Sequence, residues 1–248
     1  MSWEFVVFDK EDGIGTITLN RPDSLNALGG GMRQEILAAV ETAVADDEVK
    51  VMVITGAGKA FCAGGDVKEF VSGKTRAEAT LRVDQRPTRD RVILLLQSTG
   101  KPVIASVNGV AAGGGCNLAL ACDMRIASDR ARFSETFVRR GLLPDWGGMW
   151  LLPRLVGYAR AAELIFSGEV IDAQEALRIG LVNKVVPHDE LPQATREFAR
   201  KFMKSAPIPV ALAKKALQNY SCIELQQALD YERLARPPAG IQKTGRKE

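Results

Sequence analysis

The chain has 248 residues, 46% hydrophobic and 25% charged, the balance of an ordinary soluble globular protein long enough to bury a substantial core. Its 33 basic and 30 acidic side chains leave a net charge of +3, too small and too scattered to point to a nucleic-acid or membrane partner. Four cysteines without close metal-ligand spacing and a single histidine argue against a metal site and against Ser-His-Asp chemistry; with no signal peptide or membrane-length apolar run, a reducing cytoplasm is the default location.

Phe5–Phe8 and Ile14–Leu19 alternate apolar and small polar residues across Asp12-Gly13, which predicts a hairpin. Asn20-Arg21-Pro22-Asp23 then leaves the sheet. Met32, Ile36, Leu37, Val40 and Val44 keep helical spacing and lead to a strand over Val49–Ile54, giving βα order. Two glycine clusters follow, and Gly64-Gly65 would let the chain turn so that the N–H of Ala63 points inward. Asp66 and Glu69, three apart, predict a capping box on a helix that starts there. Residues 72–86 are rich in charge and poor in sustained hydrophobicity, a polar segment suited to covering a site.

Val92–Leu96 fits a helix and Pro102–Val107 a strand. In Ala111-Ala112-Gly113-Gly114-Gly115-Cys116-Asn117-Leu118, three glycines abut an apolar helix expected to begin at Gly115. Free N–H groups and the positive end of the helix dipole there would receive negative charge, although a tight strand-to-helix turn uses the same residues. Met124–Ala127 returns to strand. Asp145 is read in two ways: as the N-cap of a helix running through Leu151, or as a carboxylate made more basic by Leu142, Leu143, Trp146, Trp150 and Phe137. From Ala159 onward helices predominate, over Ala159–Phe166, Ala173–Ile179, Leu191–Met203, Val210–Asn219 and Ile223–Leu234, with Leu181–Val186 extended. The order implies an α/β core and a boundary near residue 190, beyond which apolar helix faces need the core or another subunit. Cys62 and Cys116 read as small apolar fillers, and His188 as a surface loop residue.

Taken together, Asn20-Arg21-Pro22 with Asn26-Ala27-Leu28, the Phe61–Phe70 segment, Lys101–Asn108 and Ala112–Asp123 strongly resemble the crotonase, or enoyl-CoA hydratase/isomerase, superfamily. The resemblance continues in order through Gly141–Gly148, Gly168, Ala173–Val182 and the C-terminal helices, nearly the whole chain. It implies an α/β fold with a ββα-superhelix spiral core over 1–190. Over 191–248 it implies a helical oligomerisation region, giving a homotrimer or a dimer of trimers. The implied substrate is an acyl-CoA thioester, with coenzyme A part of the substrate and no metal or tightly bound cofactor. By the same resemblance the N–H groups of Ala63 and Gly114 form an oxyanion hole for the thioester carbonyl. Coenzyme A would lie along Leu25, Ala27, Ala60, Asp66 and Val67, with Phe137 and Trp146 lining the acyl pocket.

The chain departs from the hydratase pattern at two places. Asn117 and Phe137 stand where typical hydratases carry glutamates, and Glu135 lies two residues before Phe137. Asp145 stands where several isomerases and a dehalogenase branch carry a catalytic aspartate. The resemblance therefore implies double-bond isomerisation, with Asp145 taking and returning the proton. The alternatives are hydration of a 2-enoyl-CoA with Glu135 as the unplaced carboxylate, and a non-catalytic scaffold or RNA-binding relative. The scaffold would need a basic face beyond Arg196, Arg200, Lys201, Lys204, Lys214 and Lys215, which helical spacing makes solvated positions.

Overall fold

The computed structural model describes residues 3–66, 87–219 and 222–235. The alternating segments form an antiparallel hairpin, β1 (Val6–Glu11) and β2 (Ile14–Leu19). Helix α1 (Met32–Ala45) buries Met32, Ile36, Leu37 and Val40, as the spacing required. The chain then repeats one plan: a long strand, a short strand turned into a second sheet, and a helix. The first repeat is β3 (Val51–Gly56), β4 (Ala60–Cys62) and, beyond residues 67–86, α2 (Thr88–Ser98). The second is β5 (Val103–Val107), β6 (Val110–Ala112) and α3 (Gly114–Leu120); the third is β7 (Met124–Ser128), β8 (Arg132–Ser134) and α4 (Gly148–Val156). This is the ββα spiral that the resemblance implied.

After α5 (Tyr158–Ser167), β9 (Val170–Asp172), α6 (Ala173–Arg178) and β10 (Lys184–Val186), the six-stranded sheet has the order β1-β2-β3-β5-β7-β10. Every pair after the first is parallel. Val51–Ile54 and Val103–Val107 are buried throughout, because parallel strands covered on both faces read as continuous apolar runs. The second sheet, β4-β6-β8-β9, is made of strands of three residues each. None was predicted, since three residues are too few for a period of two to show.

Helix α7 (Leu191–Met203) is a wall of the core: Leu191, Thr195 and Ala199 are buried, and Ala199 packs with Ile14, Val51, Val53 and Ile104. Thr195 Oγ1 lies 2.9 Å from Ser106 Oγ on β5. Helix α8 (Pro207–Asn219) is fastened by one buried cation, Lys214, whose Nζ lies 2.8 Å from Asp123 Oδ2 and donates to Leu96 O and Lys101 O. Helix α9 (Leu225–Leu234) exposes Leu225 and Leu234. Among the described residues no helix is long and apolar enough to cross a membrane.

Candidate active site

One wall of the site is main chain. After β2 the chain makes a short turn and places two consecutive non-glycine residues in the left-handed region, Leu25 at φ 50° and Asn26 at φ 56°. Such a pair costs about 1–2 kcal/mol per residue. The buried side chain of Asn26 offsets this: its Oδ1 accepts from Arg21 N at 2.8 Å, and its Nδ2 donates to Ala57 O and Ala60 O at 2.9 and 2.8 Å. The turned loop then lies along the chain leaving β4, with Ala63 N donating to Leu25 O at 2.9 Å and Leu28 N to Gly64 O at 2.8 Å. Arg21 ties the far end, its Nη1 2.9 Å from Asp66 Oδ2.

These contacts correct one expectation. The N–H of Ala63 is committed to Leu25 O, so it is not the free inward donor that the glycine turn was expected to make of it. Two residues on, the N–H of Gly65 has no acceptor among the described residues. Asp66, expected to touch the ligand or cap a helix, is nearly buried with its Oδ2 paired to Arg21; the helix it would cap, with Val67 and Glu69, lies outside the described residues, so neither reading is decided by this pairing. Gly64 sits at φ 85°, and a Cβ there would come 2.5 Å from Ala112 O and 3.4 Å from Gly114 N. The loop is thus pressed against the start of α3, a contact that only glycine permits.

Helix α3 begins at Gly114, one residue earlier than expected, and its first N–H has no acceptor among the described residues. Around Gly114, a Cβ would meet the Trp146 indole edge at 2.9 Å and Leu28 at 3.1 Å. Phe137 lies over Gly113, 3.5 Å from the corresponding position. Leu28, Phe137 and Trp146 are all buried, so apolar side chains ring the free N–H. Ala27 and Ala60 are also buried and Leu25 is exposed; Ala60 O is already taken by Asn26 and Asn108.

The other wall carries carboxyl groups. Asp145 precedes a tight turn in which Trp146 has φ 52° and Gly147 φ 77°. The N-cap of α4 is Gly147 with no side-chain cap, so the capping role for Asp145 is set aside. Its carbonyl accepts from Gly148 N and from Asn117 Nδ2 at 2.8 Å, leaving the carboxylate, 36% exposed, 3.4 Å from Arg89 Nη1. Burial raises its pKa above the ordinary aspartate value, while Arg89 and Arg33 pull the other way. Leu142, Leu143 and Trp150 face outward, so the apolar setting is supplied by Trp146 and Phe137 rather than by all five neighbours expected.

Behind Asp145 lies Glu135, only 2% exposed, with Asn117 Nδ2 3.4 Å from its Oε2. Burial pushes the Glu135 carboxyl up to about 8. Burial likewise pushes the thiols of Cys62 and Cys122 up to about 12 and raises that of Cys116, which fits inert fillers rather than nucleophiles. Among the described residues no group of three or more His, Cys, Asp or Glu could hold a metal ion. Sequence reasoning missed Arg89 as the partner of Asp145, Arg21 as the tie to Asp66, and Asn117 as the link to Asp145. None announces itself, because each is set by contacts across 28 to 56 positions.

The family model described as enoyl-CoA hydratase/isomerase matches residues 9–236. A short-chain-enoyl-CoA hydratase from Clostridium acetobutylicum is 41% identical over 228 residues, covering 92% of this chain and 86% of the relative. A 1,2-epoxyphenylacetyl-CoA isomerase from Escherichia coli K12 is 35% identical over 230 residues, covering 93% and 88%. The crystal structure of an enoyl-CoA hydratase from Polaromonas sp. JS666 superimposes with a TM-score of 0.86 at 34% identity, covering 93% of this chain and 89% of that one.

Proposed function

The chain belongs to the enoyl-CoA hydratase/isomerase family, and we propose that within it the protein is an enoyl-CoA double-bond isomerase with Asp145 as the proton carrier. The observation that carries this reading is the Asp145 carboxylate itself. It is freed from capping, made more basic by burial, and one residue from the indole that lies on Gly114. A thioester carbonyl directed at Gly114 N–H would meet a second donor in Gly65 N–H, which takes the role first expected of Ala63. Such donors stabilise a developing oxyanion by roughly 3 kcal/mol each.

With a 3-enoyl-CoA, Asp145 breaks a C–H bond at C2 and holds the proton. The double bond moves to C2–C3 through a dienolate whose charge rests on the thioester oxygen, and the same carboxyl returns the proton to C4. Arg89 keeps Asp145 charged before substrate arrives, and Trp146, Phe137 and Leu28 exclude water from the reacting carbons. Coenzyme A is then part of the substrate. The proposal extends to a cytoplasmic homotrimer or dimer of trimers, supported by Ile208, Leu217, Leu225 and Leu234, exposed on the C-terminal helices.

Hydration of a 2-enoyl-CoA is the second reading, favoured by the hydratase names among the relatives. It requires a charged carboxylate that can hold water, and Glu135 is buried behind Asn117 instead. Absorbance of the conjugated 2-enoyl thioester separates the two. A rise from a 3-enoyl-CoA that Asp145→Asn abolishes is the expected result. A fall from a 2-enoyl-CoA that survives Asp145→Asn would establish hydration and sink the isomerase reading.

A further inference from the structure

Asn117 and Glu135 have no task in the scheme above, yet both are buried beside Asp145. Asn117 Oδ1 and Glu135 Oε1 are each buried without a hydrogen-bond partner, although the two side chains already touch through Nδ2 and Oε2. The amide cannot be turned over to relieve this, because Nδ2 also serves Asp145 O, which only accepts. Nor can it swing aside. A Cβ on Gly148 would lie 2.3 Å from both amide heteroatoms, so the amide is pressed flat against the start of α4. One proton on Glu135 Oε1, donated to Asn117 Oδ1, would give both orphaned atoms a partner and pair the acid with the amide through two antiparallel hydrogen bonds, the other being the Nδ2–Oε2 contact at 3.4 Å.

We propose that Glu135 is kept as the neutral acid, shares its proton with Asn117, and through Asn117 positions Asp145, so that ionisation of Glu135 releases the base. Glu135 is on this account a positioning residue and does not touch substrate. Its surroundings favour the neutral form: Leu152, Leu164, Ile171 and Leu181 close around a void of about 10 Å³ beside the carboxyl, room for one water at most. The titratable groups facing it are Cys116 on α3 and Asp145 before α4: burial outweighs the hydrogen bonds from Cys116 and Asn117, which favour the anion, and the charge of Asp145 disfavours a second one. Arg89 and Arg33 act on Asp145, and Arg125 on Cys116. Burial accordingly holds the carboxyl up to about 8.

The consequence for turnover rests on Asp145 being the base; the protonation of Glu135 does not. The test compares wild type, Glu135→Gln and Glu135→Met. Gln keeps one donor and one acceptor and cannot ionise, whereas Met is of similar length and has neither. Wild-type kcat is expected to fall about tenfold per pH unit above about pH 8, following a single ionisation. Glu135→Gln should stay within a few fold of wild type at neutral pH and lose that alkaline limb. Glu135→Met should lose about tenfold or more in kcat with KM little changed. An alkaline limb that persists in Glu135→Gln overturns the proposal, as does a Gln variant no better than the Met variant or a Met variant of full activity. The infrared band of a protonated carboxyl, present in wild type at pH 6, lost above about pH 8 and absent from Glu135→Gln, reads the acid independently of turnover. That band stands even if Asp145→Asn proves active, and a Glu135 that titrates like an exposed carboxylate overturns the proposal by itself.

Discussion

Of the two walls that meet at Gly114, the one formed by residues 25–28 and 62–66 is held by main-chain bonds, Ala63 N to Leu25 O and Leu28 N to Gly64 O, with Asn26 and Arg21 as ties. The opposite wall is held by side chains, with Asn117 joining Glu135 to Asp145 across 18 and 28 positions of sequence. The first wall fixes the direction of the Gly65 N–H and has little chemistry of its own. The second carries the chemistry on the proposed reading and depends on which atoms carry protons. Damage to the main-chain wall should therefore lower stability and turnover together, whereas isosteric change in the side-chain wall should separate them.

The strongest test of that contrast is Asp145→Asn, expected to lower isomerase kcat by about 10³-fold, within the range for loss of a general base, while leaving the melting temperature and coenzyme A ester binding close to wild type. Gly64→Ala comes next. Its Cβ would meet Ala112 O at 2.5 Å from a left-handed backbone, so turnover should fall by about 10²-fold, as when an oxyanion donor is misplaced, with a clear drop in melting temperature. A Gly64→Ala protein with unchanged melting and full activity would break the comparison. Asn26→Ala removes three hydrogen bonds made by a fully buried side chain and should cost about 2–4 kcal/mol in denaturant unfolding, with a smaller loss of activity.

Two smaller effects are electrostatic. Arg89 lowers the pKa of Asp145, so Arg89→Met should move the acid limb of kcat/KM to higher pH and leave neutral-pH turnover within several fold. Glu135 has the opposite linkage to the usual carboxylate. Its folded-state value of about 8 stands above the ordinary 4.5, so its contribution to stability is full below pH 4.5 and is lost progressively as pH rises through 8. Glu135→Gln should raise stability at pH 8 relative to pH 5 by a few kcal/mol at most, read from urea titrations at the two values.

The parts of this molecule legible in sequence are those with a period. The hairpin, α1, the buried runs of β3 and β5 and the five C-terminal helices all follow from spacing. Strands β4, β6, β8 and β9 do not, because each is three residues long and is defined by its partner rather than by its own pattern. In the site, Gly114 and Asp145 could be named from motif, but the donor next to Gly114 could not. Ala63, Gly64 and Gly65 are adjacent, and only the bond from Ala63 to Leu25 decides which N–H is left over. Glycines are poor residues for a first helical turn, yet Gly147 and Gly148 open α4. The reason for Gly148 is the Asn117 amide lying where its side chain would be.

Of the three tryptophans, Trp150 is well exposed, whereas Trp146 is buried with its indole edge against Gly114. The molecule thus carries an optical reporter beside the atom that would receive a ligand's oxygen. Quenching or a spectral shift of Trp146 emission, isolated in a Trp3→Phe/Trp150→Phe background, would count occupancy of the site under conditions where no bond is made or broken.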